Sequence, residues 1–139
     1  MPGDGTEEPD FRRDCILVVE DDVDARETLC EIVEMAGCSA VGAANGREAL
    51  KVLAERRPCL VILDLMMPIM SGQELLEQMQ RQPELADVPV VISTSAPHIA
   101  PADWPVIPKP IDIAKVVECL QRMCHCKQTV PPISAAAWD

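Results

Sequence analysis

Cys15-Ile16-Leu17-Val18-Val19-Glu20-Asp21-Asp22 sets a continuous apolar run directly against three acids. The run is short and apolar at every position rather than at alternate ones, so it reads as a strand buried on both faces. Such a strand needs helices on either side. The next segment supplies one. From Val23 to Ala36 the apolar positions Val23, Leu29, Ile32, Val33 and Ala36 recur at helical spacing, Asp22 or Asp24 is available as the N-cap, and Gly37 provides the stop.

The alternation continues along the chain. Cys38 to Ala44 is a second short apolar strand, and Asn45-Gly46 punctuates it before a helix carrying Ala49, Leu50, Val52 and Leu53 on one stripe, closed by Pro58. Cys59 to Leu63 is another buried strand, ending at Asp64. After a loop containing Pro68, Ser71 caps a helix that turns Leu75, Leu76 and Met79 inward, and Val88 to Ser93 forms a fourth strand. Strands and helices in this order need right-handed crossovers and build an α/β fold, a doubly wound parallel sheet. The regularity breaks between Thr94 and Lys109, where fourteen residues include Pro97, Pro101, Pro105 and Pro108. Each proline lacks an amide donor and disfavours helix at the residue before it. That leaves a loop with at most one helical turn, then a short fifth strand near Val106 and Ile107. The last helix runs from about Asp112 to Cys124, with Ile113, Val116, Val117, Leu120 and Met123 on its buried stripe.

Composition narrows the function. In 139 residues, 48% apolar and 25% charged, one core fits and two do not. A net charge of −11, from 23 acids against 12 bases, argues against nucleic acid and anionic membrane surfaces as partners. Only Phe11, Trp104 and Trp138 are aromatic, too few for a base-stacking platform. Residues 1–14 contain no apolar run behind a basic patch, which excludes a signal peptide there and predicts a cytoplasmic protein; 1–14 and 127–139 read as flexible ends around a domain at 15–126. Seven cysteines without a secretory signal fit a reducing compartment, where thiols act as small core hydrophobes. Cys119, Cys124, His125 and Cys126 offer zinc its preferred ligand types, but no second pair sits at a usual spacing, and they read as a helix end with incidental thiols.

Ligands of an open parallel sheet bind outside the carboxyl ends of its strands. Here that edge collects Glu20, Asp21 and Asp22 from the first strand, Asp64 from the third, Ser93, Thr94 and Ser95 from the fourth, and Lys109 after the fifth. Taken singly, an acid after a strand caps the next helix, a threonine satisfies backbone, and a lysine is solvated. Taken together, crowded carboxylates repel unless something positive sits among them. Lys109 and a hard divalent cation fill that need, and carboxylates with a backbone carbonyl and waters suit magnesium.

The run Ile16 to Asp22, the segment Leu63-Asp64-Leu65-Met66-Met67-Pro68-Ile69-Met70-Ser71-Gly72, the stretch Pro89-Val90-Val91-Ile92-Ser93-Thr94 and the pair Lys109-Pro110 together resemble a response-regulator receiver domain of two-component signalling. The resemblance covers about Cys15 to Cys124. It implies a five-stranded flavodoxin-like sheet of order 2-1-3-4-5. It also implies that Asp64 accepts a phosphoryl group from a sensor histidine kinase or phosphotransfer protein. Asp21 and Asp64 would ligate Mg2+ directly, Glu20 through water, and Met66 through its carbonyl. Lys109 would pair with Asp64 and then with the phosphoryl oxygens, and Thr94 would hydrogen-bond one of them.

Two departures from the family pattern stand out. Its fourth helix is shortened or missing here, and its switch aromatic, three residues before the lysine, is Val106. With no residues left for an output domain, the reading is a stand-alone, non-enzymatic domain whose downstream protein effector acts in trans. The stretch from Ala96 to Pro108, with Trp104 at its middle, is the candidate moving or partner-binding segment. The alternative is a receiver-like scaffold or dimerisation module that works without phosphorylation. A phosphatase using Asp64 as nucleophile would need a second acid at Met66, and a nucleotide or flavin phosphate would be repelled by Glu20, Asp21 and Asp22.

Overall fold

The computed structural model describes residues 15–67, 69–95, 100 and 104–123. Five strands, β1 (Cys15–Val19), β2 (Ser39–Ala43), β3 (Leu60–Asp64), β4 (Val90–Thr94) and β5 (Val106–Pro108), form one sheet of order β2-β1-β3-β4-β5, every pair parallel. The expected 2-1-3-4-5 topology is therefore the observed one. Strand order reverses between β1 and β3, so the crevice of the switch point opens where Glu20 and Asp64 end their strands.

Five helices cover the sheet: α1 (Val23–Met35), α2 (Gly46–Glu55), α3 (Gly72–Arg81), a single turn α4 (Pro83–Ala86) and α5 (Ile113–Met123). Every residue of β1, β3 and β4 is buried, which explains why these strands are apolar without alternation. Their side chains divide between two cores. Ile16, Val18, Leu60, Ile62 and Val91 face α1 and α5, while Leu17, Val19, Val61, Leu63 and Ile92 face α2, α3 and α4. Each such side chain contributes about 1.5–3 kcal/mol on burial.

Local sequence explains the helix ends. Asn45 accepts the Glu48 amide at 2.9 Å, and Ser71 and Glu74 form a reciprocal capping box. Asp22 holds the N-cap position of α1, but its side chain makes no capping bond. Gly37, with φ of 95°, ends that helix as expected. Two apolar positions assigned to buried stripes are instead exposed: Val23 at 51% and Ile113 at 48%. Both open their helices at the carboxyl edge of the sheet, beyond the reach of either core. The turn α4, with Pro83 at its start, has no signature in the sequence, because four residues carry too little periodicity to register.

Among the described residues no helix stands between β4 and β5; residues 96–99 and 101–103 lie outside the description. Right-handed crossover would put a helix there on the α2–α3 face. Ala100 and the half-buried Trp104 pack against that core instead. Cys15 and Cys38 are buried thiols and Cys30 and Cys119 half-buried ones. Cys59 departs from the all-thiol reading: it is disulfide-bonded. Cysteine spacing does not reveal such tertiary approach. The possible zinc set cannot be assembled from the description, since Cys124, His125 and Cys126 lie outside it, as do the two chain ends.

Gly72 fixes how β3 connects to α3. A Cβ at this position would fall on the Asp64 carbonyl oxygen and 2.6 Å from Leu65 Cα, both of them backbone. Gly72→Ala is expected to lower stability by about 2–4 kcal/mol, read as the shift in the midpoint of urea unfolding.

Candidate functional site

β1, β3 and β5 deliver the charged groups. Glu20, Asp21 and Asp64 each offer a carboxylate oxygen, and these oxygens lie within 4.8 Å of one another. Glu20 is 2% exposed and Asp64 5% exposed, whereas Asp21 is open to solvent. Two buried acids side by side need a counter-charge, and Lys109 supplies it: Nζ donates to Glu20 Oε1 at 2.7 Å and stands 3.7 Å from Asp64 Oδ2. The pairing partners follow from the fold, since β5 ends one residue before Lys109 and the Lys109 amide donates to the Thr94 carbonyl at 2.9 Å.

Backbone groups fix the acids further. The Met66 amide donates to Asp64 Oδ1 at 3.1 Å and the Asp22 amide to Glu20 Oε2 at 3.2 Å. Arg26 lies across Gly42, where a Cβ would meet its Cδ at 3.1 Å, and donates to the Glu20 carbonyl at 2.8 Å. Nothing in the sequence pattern signals this role of Arg26, because it depends on a missing side chain in the neighbouring strand.

The electrostatics follow from these contacts. Burial raises the Asp64 carboxyl most, the Met66 amide opposes it, Glu20 raises it further and Lys109 opposes again; the result is about 6, against an ordinary 3.8. For Lys109, burial alone would lower the ammonium, but the hydrogen bond from it to Glu20 and the charges of Asp64, Glu20 and Asp21 leave it raised. The ammonium therefore stays charged.

Of the residues singled out in the sequence, Glu20, Asp21, Asp64 and Lys109 meet directly. Met66 touches the cluster through its backbone, while its side chain is 59% exposed. Thr94 is buried at the end of β4, tied by its carbonyl to Lys109. Ser93, in register with both Asp64 and Ile107, carries a buried hydroxyl without a hydrogen-bond partner. All-oxygen donors in a tight acidic group fit a hard divalent cation such as magnesium better than zinc, which favours nitrogen and sulfur.

The loop that follows Asp64 holds an unusual backbone. Ile69 has φ of 70°, a left-handed conformation that costs a residue other than glycine roughly 1–2 kcal/mol. Its surroundings are fixed: the Gly46 amide donates to the Met70 carbonyl at 3.3 Å and the Gly72 amide to the Leu65 carbonyl at 3.0 Å.

Comparison with known proteins adds a family. A family model described as the response regulator receiver domain matches residues 16–121. The phosphate regulon transcriptional regulatory protein PhoB of Pseudomonas aeruginosa is 36% identical over 80 residues, covering 58% of this chain and 35% of that protein. The chain spans about a third of the length of the first curated relatives it matches. A CheY-like response regulator receiver domain from Methylobacillus flagellatus superposes with a TM-score of 0.71 at 29% identity, over 81% of this chain and 98% of that one. The response regulator TrrA of Thermotoga maritima, solved in complex with Mg(2+)-BeF, does so with 0.70 at 29% identity, over 78% and 97%. No helix of the described residues is long and apolar enough to cross a membrane.

The raised Asp64 carboxyl makes stability depend on pH. Above pH 6 its charge disfavours the metal-free fold, by on the order of 2–3 kcal/mol for a shift of this size. As the pH falls through 6 towards 3.8, the folded state takes up the proton first and the penalty fades. Metal-free Asp64→Asn is therefore expected to unfold at higher urea concentration than wild type at about pH 7.5, with the advantage gone by about pH 4.

Proposed function

Because the chain belongs to the response regulator receiver domain family, we propose that it accepts a phosphoryl group on Asp64 from a histidine kinase or phosphotransfer protein and signals by changing its affinity for a protein partner. The receiver unit of this proposal is 15–126. The observation that carries it is the gathering of Glu20, Asp21 and Asp64 around one point, with Lys109 between the two buried acids.

Each residue has a task that its surroundings support. Met66 holds Asp64 Oδ1 through its amide, which orients the carboxylate and leaves Oδ2 towards Lys109. With its carboxyl at about 6, Asp64 is mostly ionised at neutral pH and available as a nucleophile. Attack on phosphorus breaks the bond to the donor nitrogen and leaves an acyl phosphate. Lys109 then has a better partner than Asp64, since the phosphoryl oxygens carry the charge that the carboxylate has given up. Thr94, at the end of the neighbouring strand, is the hydroxyl that would hydrogen-bond a phosphoryl oxygen. Glu20, Asp21, Asp64 and the Met66 carbonyl would hold magnesium, which supplies positive charge against those oxygens.

Read-out must differ from a mechanism that turns an aromatic ring inward. The position is Val106, a half-buried residue packed against the α2–α3 core beside Trp104. Phosphorylation would add about −1.5 to −2 of charge at an edge that is already acidic, and the stretch from Ala96 to Pro108, rather than a rotating ring, is the candidate segment to respond.

Incubation with magnesium and acetyl phosphate is expected to add the mass of one phosphoryl group to wild type and none to Asp64→Asn, with EDTA abolishing the adduct. Asp21→Asn should weaken the reaction and should also remove the rise in melting temperature that magnesium gives wild type. An unmodified wild type that nonetheless gains stability from magnesium would favour the scaffold reading.

A further inference from the structure

Glu20 is buried, and each of its polar groups is engaged. Its amide donates to the Ala43 carbonyl at 3.0 Å, Oε1 accepts from Lys109 at 2.7 Å and Oε2 from the Asp22 amide at 3.2 Å. The remaining group is its carbonyl. The register of β1 with β2 ends at Val19 and Ala43, where the chain turns towards Asn45 and α2, so the sheet offers that oxygen no further rung. Arg26 takes it instead, donating from Nη1 at 2.8 Å.

Reaching that oxygen depends on Gly42. A Cβ there would stand 3.1 Å from Arg26 Cδ, 3.3 Å from Cγ and 3.6 Å from Nε, along the stem that carries the guanidinium. A second bond ties the helix to the same turn, since the Arg26 amide donates to the Asp22 carbonyl at 2.9 Å. The turn from Glu20 to Asp22 is thereby clamped at both ends, and Asp21, the exposed member of the acidic group, stands at its centre.

We propose that Arg26 is a positioning residue for magnesium: lodged over Gly42, it fixes the turn from Glu20 to Asp22 so that Glu20 and Asp21 hold their carboxylates beside Asp64. This role rests on the magnesium-dependent phosphoacceptor reading and adds to it a residue from outside the acidic group. Groups that orient metal ligands from behind set affinity, because a ligand free to swing loses that freedom when the ion binds. Charge acts in the opposite sense. A guanidinium near a cation site repels a divalent ion, so an Arg26 that mattered only through its charge would weaken magnesium binding, whereas one that holds the turn strengthens it. The sign of the change on its removal separates the two.

The Mg2+ dissociation constant is measured by isothermal titration calorimetry, beside metal-free urea unfolding, for wild type, Arg26→Ala, Arg26→Lys, Gly42→Ala and the double variant Gly42→Ala with Arg26→Ala. Arg26→Ala is expected to bind Mg2+ roughly tenfold more weakly. Lysine keeps a donor on a long stem, and Arg26→Lys is expected to recover most of that loss. Gly42→Ala should weaken binding while Arg26 is present and add nothing to Arg26→Ala, whose short side chain leaves the new Cβ no stem to displace. Unchanged affinity in Arg26→Ala, whatever its urea midpoint, overturns the role and leaves Arg26 a structural contact. Tighter binding overturns it in favour of charge, and so does a Gly42→Ala effect of equal size in both backgrounds, in favour of a route that bypasses Arg26. Should Arg26→Ala not fold, Gly42→Ala decides, and wild-type affinity in that variant overturns the role. Wild type that takes up no Mg2+ would refute the metal-binding reading itself, and this role with it.

Discussion

The ion pair between Lys109 and Glu20 joins residues 89 positions apart and closes the site. Without an ammonium there, two buried carboxylates at the ends of neighbouring strands would face each other across a medium that screens poorly, and the fold would favour their protonation. With it, Glu20 is satisfied at 2.7 Å while Asp64, at 3.7 Å from the same nitrogen, is only partly compensated. That asymmetry matters. It leaves the raised titration on Asp64, the residue that the proposed function makes the phosphoacceptor, and gives the lysine a contact that would strengthen if charge moved outward from Asp64 to a phosphoryl group.

Holding such a cluster requires a rigid frame, and the sheet provides one by being apolar on both faces. Three strands with no exposed residue fix the positions of Glu20, Asp64 and Thr94 to within the tolerance of packed side chains. The connections are then pinned where they leave the sheet. Gly72 lets the chain pass over the backbone of Asp64, Gly46 admits Met70 beside the start of α2, and Gly42 makes room for Arg26. Each is a place where a side chain has been given up so that another backbone, as at Gly72, or a neighbouring side chain, as at Gly46 and Gly42, comes close.

These contacts explain what was legible in the sequence. The strands were, because burial on both faces writes itself as unbroken apolar runs at Cys15 to Val19 and Cys59 to Leu63. So were the acids and Lys109, because the topology of parallel crossovers sends every strand end to one edge. Val23 and Ile113 were misread because helical spacing reports which face a residue occupies and not how far the core extends beneath it. The turn at Pro83 was too short to carry a period, and the disulfide at Cys59 and the packing of Arg26 on Gly42 depend on neighbours distant in the chain. The backbone of Ile69 left no trace, since isoleucine is the residue that sequence rules would least place there.

The departures from local rules are not spread over the molecule. Asn45 and Ser71 cap their helices, Gly37 ends one, and the two cores are apolar throughout. Apart from Met35, exposed at the far end of α1, the exceptions lie at the carboxyl edge: a carboxyl pushed up to about 6, a buried Ser93 hydroxyl without a partner, an isoleucine in left-handed backbone, and exposed Val23, Met66 and Ile113. A sequence under selection for stability alone has no reason to gather such costs in one place. Repulsion among the acids is relieved by added positive charge, and exposed apolar side chains are relieved by contact. The strain, the exposure and the acidity of this edge thus fall on the strand ends where the proposed phosphoryl transfer would take place.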